Sequence, residues 1–167
     1  KSSSYVKRAL LQYALIEYNS SNIDEALAMY KGIVEQYPGS QEAMTALNMI
    51  QNIYRKKNDI DSFSNYLKQI GGYDNITEAQ LDSLSFEVAQ ELYLDGECDK
   101  AMPLLKSYLQ KYGDGFFKIN VHYYLGECMY KRGYQKDALP HFEYVLSQPK
   151  SGFTEQSLVY TSQILMD

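Results

Sequence analysis

The chain is poor in the residues that usually carry chemistry or cross-links. Its 167 residues include two cysteines and two histidines. Two cysteines are too few for a disulfide scaffold, and Cys98 and Cys128 stand at no metal-type spacing. Both fall where a helical hairpin packs, so they are expected to be buried free thiols behaving as small hydrophobic side chains. A basic excess is missing too: 16 lysines and arginines face 21 acidic residues, a net charge of −5. That argues against nucleic acid as a partner, because phosphate backbones demand a basic footprint. No run approaches the roughly 18 to 20 apolar residues that span a bilayer, and no basic-then-apolar segment marks a signal peptide. Low-complexity segments, long linkers and sustained β alternation are absent as well. The chain starts Lys1-Ser2-Ser3-Ser4 without an initiator Met, and Thr154 to Met166 is patterned as a helix with no partner after it. It therefore reads as a fragment of a longer protein, which leaves its localisation open.

What the chain does have is 45% apolar residues, enough for a continuous core, and a repeat. A breaker followed by a second amphipathic run recurs at Asn22 to Ala26, Asn58 to Phe63, Gly96 to Ala101 and Gly133 to Ala138. The residues that open these second runs, Ala26, Phe63, Ala101 and Ala138, are spaced 37, 38 and 37 apart. A period of this size means stacked helical units, each unable to bury its apolar face alone.

Three- and four-residue apolar steps place a helix on either side of each hinge. The units are about 5–38, 41–72, 77–113 and 116–150, with a half unit at 152–167, giving nine helices in a single domain. Asn22 or Asp24 can cap the second helix, and Tyr37-Pro38-Gly39 ends it. Thr77 with Gln80 fits a capping box. Pro103 and Pro140 fall within about the first turn of their helices, where a missing donor costs little. Gly71 to Thr77 is the longest connection, and the period continues across it.

Small residues recur where helices must approach closely: Ala14, Ala89 and Gly126 in first helices, Ala26, Ala101 and Ala138 in second helices. Tyr30, Leu67, Leu105 and Phe142 follow four residues beyond the second-helix markers. This pattern, at its fullest in Tyr124-Leu125-Gly126, Gly133, Ala138, Phe142 and Pro149, resembles the tetratricopeptide repeat over essentially the whole chain. The resemblance implies an all-α, right-handed α-solenoid of about four and a half helix-turn-helix repeats. The family period is about 34 residues, so these units carry longer helices or loops. Unit two departs furthest, with Gln51 and Phe63 in place of small residues, and Phe63 should widen its helix crossing. Ala26 to Ser40 looks similar to the repeats of bacterial cell-envelope proteins of the Bacteroidetes type, which would put the chain in the periplasm or at the outer membrane.

Catalytic signals are lacking. No Ser, Cys or Asp stands at a motif spacing from His122 or His141, and His122 takes the place of a packing aromatic. Gly71-Gly72 and Gly113-Asp114-Gly115 lack the strand and the Lys-Ser/Thr that a phosphate loop requires, and read as helix stops. The acidic residues at the hinges, Asp24, Glu25, Asp95, Glu97 and Asp99, suit helix N-termini rather than a calcium loop. No enzyme activity and no cofactor are expected. Most of the 17 tyrosines are read as filling gaps between units, with some suited to an interface.

In the resembled family the first helices line the concave face. By position that face holds Arg8, Leu11, Leu15, Tyr18 and Asn19 in unit one, and Thr45, Asn48, Asn52, Arg55 and Lys56 in unit two. Unit three supplies Ser83, Phe86, Gln90, Tyr93 and Leu94; unit four supplies Asn120, Tyr123, Glu127, Tyr130 and Lys131. Asn48, Asn52, Arg55, Phe86, Gln90, Tyr93, Tyr123, Glu127 and Tyr130 are the candidate peptide-binding residues: the amides for the backbone, the rings for side chains. The carboxylate-holding positions of the family's chaperone binders are Leu11 and Leu15 here, which disfavours that role. Two functions follow as expectations, a scaffold that binds a protein or peptide through the concave face or the terminal repeat, or a structural spacer of a longer envelope protein with no ligand of its own. The run from Phe153 to Met166 should lie back on unit four or pack on a neighbouring molecule.

Overall fold

The computed structural model describes residues 4–72 and 76–166. They form two compact units, residues 1–75 and 76–167, and every element among the described residues is a helix. In the first unit α1 (Ser4–Asn19) pairs with α2 (Ile23–Gln36), and α3 (Gln41–Lys56) with α4 (Ile60–Ile70). In the second, α5 (Glu78–Leu94) pairs with α6 (Cys98–Lys111), and α7 (Lys118–Lys131) with α8 (Gln135–Ser147), before α9 (Thr154–Met166). The fold is an α-solenoid of stacked hairpins. The last helix lies back on α8, burying Ser157 and leaving Leu158, Val159, Leu165 and Met166 exposed.

The four hinges share one backbone solution. Ser21, Asn58, Gly96 and Gly133 all have positive φ, at 67°, 55°, 76° and 81°. The next N–H reaches back five residues in every case: Asn22 to Glu17 O, Asp59 to Tyr54 O, Glu97 to Leu92 O and Tyr134 to Met129 O, each at 2.9 Å. This is the Schellman closure, in which one left-handed residue satisfies the last carbonyls of a helix. The first hinge thus turns on Ser21, one residue before the breaker expected at Asn22, and the left-handed positions are spaced 37, 38 and 37 apart. Asn22 occupies the N-cap of α2 without a capping bond; its amide instead donates to Glu17 Oε2 at 2.7 Å. Thr77 and Gln80 do form the capping box of α5.

Packing follows the small-residue pattern. Ala14, Ala26, Ala89, Ala101 and Ala138 are all completely buried. Gly126 is required by proximity, because a Cβ there would lie 3.0 Å from the Phe142 ring and 3.2 Å from His141 Cβ. Phe63 is also fully buried, and α3 and α4 approach each other at fewer points than the other hairpin partners do.

Two expectations are corrected. Cys98 and Cys128 are not free: they form a disulfide, with Cα atoms 5.3 Å apart, that ties the start of α6 to α7. Pro103 and Pro140 stand sixth in helices that begin at Cys98 and Gln135, in the second turn rather than the first. Each therefore removes one intrahelical hydrogen bond.

Candidate functional site

In the first unit the face formed by α1 and α3 holds a cleft of about 570 Å³, lined by Arg8, Leu11 and Gln12 from α1 and by Gln41, Glu42 and Thr45 from α3. Steps of three and four residues carry the same face of α3 on from Thr45 through Asn48 and Asn52 to Arg55, and all four side chains are exposed. Lys7 forms an ion pair with Glu42 at 3.4 Å. A hydrogen bond from its own backbone, at the start of α3, and the charges of Lys7 and Arg8 hold the Glu42 carboxyl below its usual range. At the hinge end, Lys56 Nζ donates to Tyr18 Oη at 2.6 Å and lies 5.2 Å from the centre of that ring.

The corresponding face of the second unit is filled. Phe86 and Tyr123 belong to the buried core. Phe86 stacks on Phe117 at 4.1 Å, Tyr93 on Tyr124 at 4.0 Å, and Tyr123 on Phe153 at 4.6 Å. Gln90 donates to Tyr124 Oη at 2.9 Å. Glu127 is buried and gathers donors from three helices: Tyr93 Oη, Tyr160 Oη at 2.7 Å and Lys131 Nζ at 3.0 Å. Burial alone would raise the Glu127 pKa, but these hydrogen bonds outweigh it and hold the carboxyl below its ordinary value. The same arrangement pushes Tyr93 and Tyr123 up, through burial first and Glu127 second, and raises Tyr160 to about 12. Tyr130 donates to Gln163 at 3.0 Å and tilts against Tyr160.

The candidate residues thus fall into two groups. Asn48, Asn52 and Arg55 line an exposed face of the first unit, whereas Phe86, Gln90, Tyr93, Tyr123, Glu127 and Tyr130 converge into one packed, hydrogen-bonded mass. Among the described residues, no three His, Cys, Asp or Glu side chains converge as metal ligands, and no helix is long and apolar enough to cross a membrane.

The hinge, the buried Ala14 and Ala26, and the Tyr37-Pro38-Gly39-Ser40 ending all lie in one stretch. Residues 8–40 match the tetratricopeptide repeat family. The matched stretch contains most of α1, all of α2 and the turn into α3, so the 570 Å³ cleft lies between it and α3. Among solved structures, a putative kinesin light chain from Podosopora anserina with nearly identical TPR-like repeats aligns over 99% of this chain and 88% of its own, at 11% identity and a TM-score of 0.40. A substituted form of that protein aligns over 95% and 84%, at 12% identity and the same score. No curated protein matches the sequence.

Three features beyond the tetratricopeptide pattern escaped the sequence. Asp82 is buried on α5 and accepts from Tyr108 Oη and, at 3.1 Å, from the Phe116 N–H; Tyr108 Oη in turn accepts from the Phe117 N–H at 3.2 Å. This network pins the loop between α6 and α7. Its signal was a carboxylate set within the apolar stripe Leu81, Leu84, Val88. The second feature, the disulfide, was visible only through hinge-relative position: Cys98 is two residues after one left-handed residue and Cys128 five before the next. The third is the pairing of His122 and His141, whose Nδ1 atoms lie 2.9 Å apart. His122 also stacks on Tyr144 at 3.8 Å, and burial, then His141 and Lys118, lower its pKa to about 4.

Proposed function

We infer that this chain serves protein–protein interaction, as tetratricopeptide repeats generally do. We propose that this chain is a non-enzymatic scaffold that binds an extended segment of a partner protein along α1 and α3. The observation that carries the reading is the contrast between the two faces. On the first unit, Arg8, Gln12, Asn48 and Asn52 surround or extend an unfilled cleft, while on the second the matching side chains are spent on one another. Exposed amides spaced along one helix face suit the backbone of an extended peptide, with a cation at each end from Arg8 and Arg55. For the second unit the spacer role is favoured, because buried Phe86, Tyr123 and Glu127 have nothing left to offer a ligand.

We further propose that the protein works in an oxidising compartment, such as a bacterial envelope would provide. The Cys98–Cys128 disulfide supports this, since such bonds persist outside reducing cytosol. The binding proposal is tested by panning a random peptide library against the full chain and measuring the selected peptides on Asn48→Ala/Asn52→Ala. Loss of roughly tenfold or more in affinity is expected from two lost backbone hydrogen bonds. Peptides whose binding is unchanged by the double substitution, or reduced only by Tyr130→Ala, would move the site off the first unit.

A further inference from the structure

A second cleft lies on other elements of the first unit, between α2 and α4. Lys31, Val34 and Glu35 share one face of α2, and Tyr66, Gln69 and Ile70 share one face of α4; with Pro38 and Gly71 they enclose about 460 Å³. That volume falls within the range of small-molecule sites. Its chemistry is set by Lys31. The ammonium donates to Tyr54 Oη at 2.9 Å and lies 4.7 Å from the centre of the Tyr66 ring and 5.4 Å from that of Tyr54. These partners hold a cation in place without neutralising it. Other partly sheltered lysines do have a carboxylate: Lys7 has Glu42 and Lys118 has Asp114. Lys31 has none among the described residues, although Glu35 stands one helical turn away.

We propose that this cleft binds a small organic monocarboxylate, its charge on Lys31 and its body against Val34, Pro38, Ile70 and the Tyr66 ring. The single Lys31 ammonium matches one negative charge, and the Glu35 carboxylate one turn away opposes a second, whereas a phosphate dianion calls for more cations or a cluster of backbone donors. The Gln69 amide offers the second hydrogen bond a carboxylate accepts. The apolar wall supplies the remaining affinity through burial of the ligand's hydrocarbon.

The test uses hexanoate as the probe, with hexan-1-ol as its uncharged counterpart, followed on the full chain by methyl and aromatic NMR. Saturable shifts at the Val34 and Ile70 methyls and the Tyr66 ring are expected with hexanoate and not with hexan-1-ol, and they should vanish at a pH that protonates the acid. Lys31→Gln should weaken binding roughly tenfold, the worth of one charge-assisted hydrogen bond, while Lys31→Arg retains it. Equal saturation by hexan-1-ol, unchanged binding by Lys31→Gln, or no saturable shift at all would each overturn the proposal. If Lys31→Gln disturbs the fold, the alcohol comparison and the pH dependence on the unaltered protein decide it.

Discussion

The two units are built on one plan and filled in two ways. Each joins consecutive hairpins with the same surface ion pair, Lys57 to Asp24 in the first and Arg132 to Asp99 in the second, both at 2.6 Å. Each sets a lysine over the tyrosine of the preceding hinge, Lys56 on Tyr18 and Lys131 on Tyr93. Their interiors differ. The first unit packs Ala43, Ala46, Ile50 and Ile53, has eight acidic and eight basic residues, and holds the two clefts described above. The second stacks aromatic rings, buries the carboxylates of Asp82 and Glu127 and, with thirteen acidic residues against eight basic, carries the whole −5. Counted from the left-handed hinge residues, the disulfide pair Cys98 and Cys128 occupies the positions held by Ile23 and Ile53 in the first unit. Backbone closure is what a repeat must keep, and the side chains between closures are free to become either a cross-linked core or an unfilled surface.

The largest break in this comparison should come from the disulfide. Cys128→Ser, or a reductant, releases a loop of about 30 residues and should cost the second unit roughly 3–4 kcal/mol by chain entropy. Hydrogen exchange read peptide by peptide should show the loss in residues 76–166 alone; equal loss in the first unit would mean that the two unfold as one. Glu127→Gln comes next, at roughly 2 kcal/mol, because an amide cannot accept from Tyr93, Tyr160 and Lys131 together. Urea denaturation of the variant measures it, and a neutral outcome would demote Glu127 from hub to bystander.

Smaller effects sharpen the hinge argument. Gly133→Ala forces a Cβ into φ 81° and should cost about 1 kcal/mol, whereas Asn58→Gly, already left-handed in the first unit, should gain a few tenths. Thermal melting of both variants would show whether the sign differs as expected. Acid should act on the second unit through the histidines. The unfolded chain takes up protons near the ordinary 6.5 and folded His122 only at about 4, and His141 is lowered too, by burial first. Stability is therefore complete above pH 6.5 and is lost as the pH falls from there towards 4. Stability measured against pH should lose part of this slope in His122→Asn; an identical slope would assign the effect to the carboxylates. Least of all, Lys57→Ala should leave the melting temperature nearly unchanged, because the exposed pair with Asp24 is screened by water.

The helices, their order and their core were legible because they depend on local rules. Three- and four-residue apolar steps, a small residue after each hinge and a bulky one four places on are all properties of short stretches, and Ala26, Ala101, Ala138 and Phe142 are buried where the pattern put them. Even the misplaced first hinge was wrong by one residue, since Ser21 is a poorer advertisement for a left-handed turn than Gly96 or Gly133. The face of the first helices was harder to read. Phe86, Tyr123 and Glu127 stand at positions that could equally serve a groove or a core, and the helix period does not distinguish them.

Local chemistry was enough to specify a chain of hairpins, because a left-handed hinge with its five-back hydrogen bond needs only the residues beside it. Whether a face stays open depends on what the next helix brings to it. Phe117, Phe153 and Tyr160 come from 30 to 33 residues further along than Phe86, Tyr123 and Glu127, the groups they cover. The cysteines meet for the same reason, as residues 30 apart become neighbours only once α6 packs on α7. Such encounters arise from the stacking of one repeat on another, and it was the stacking that closed the second unit and left the first with room.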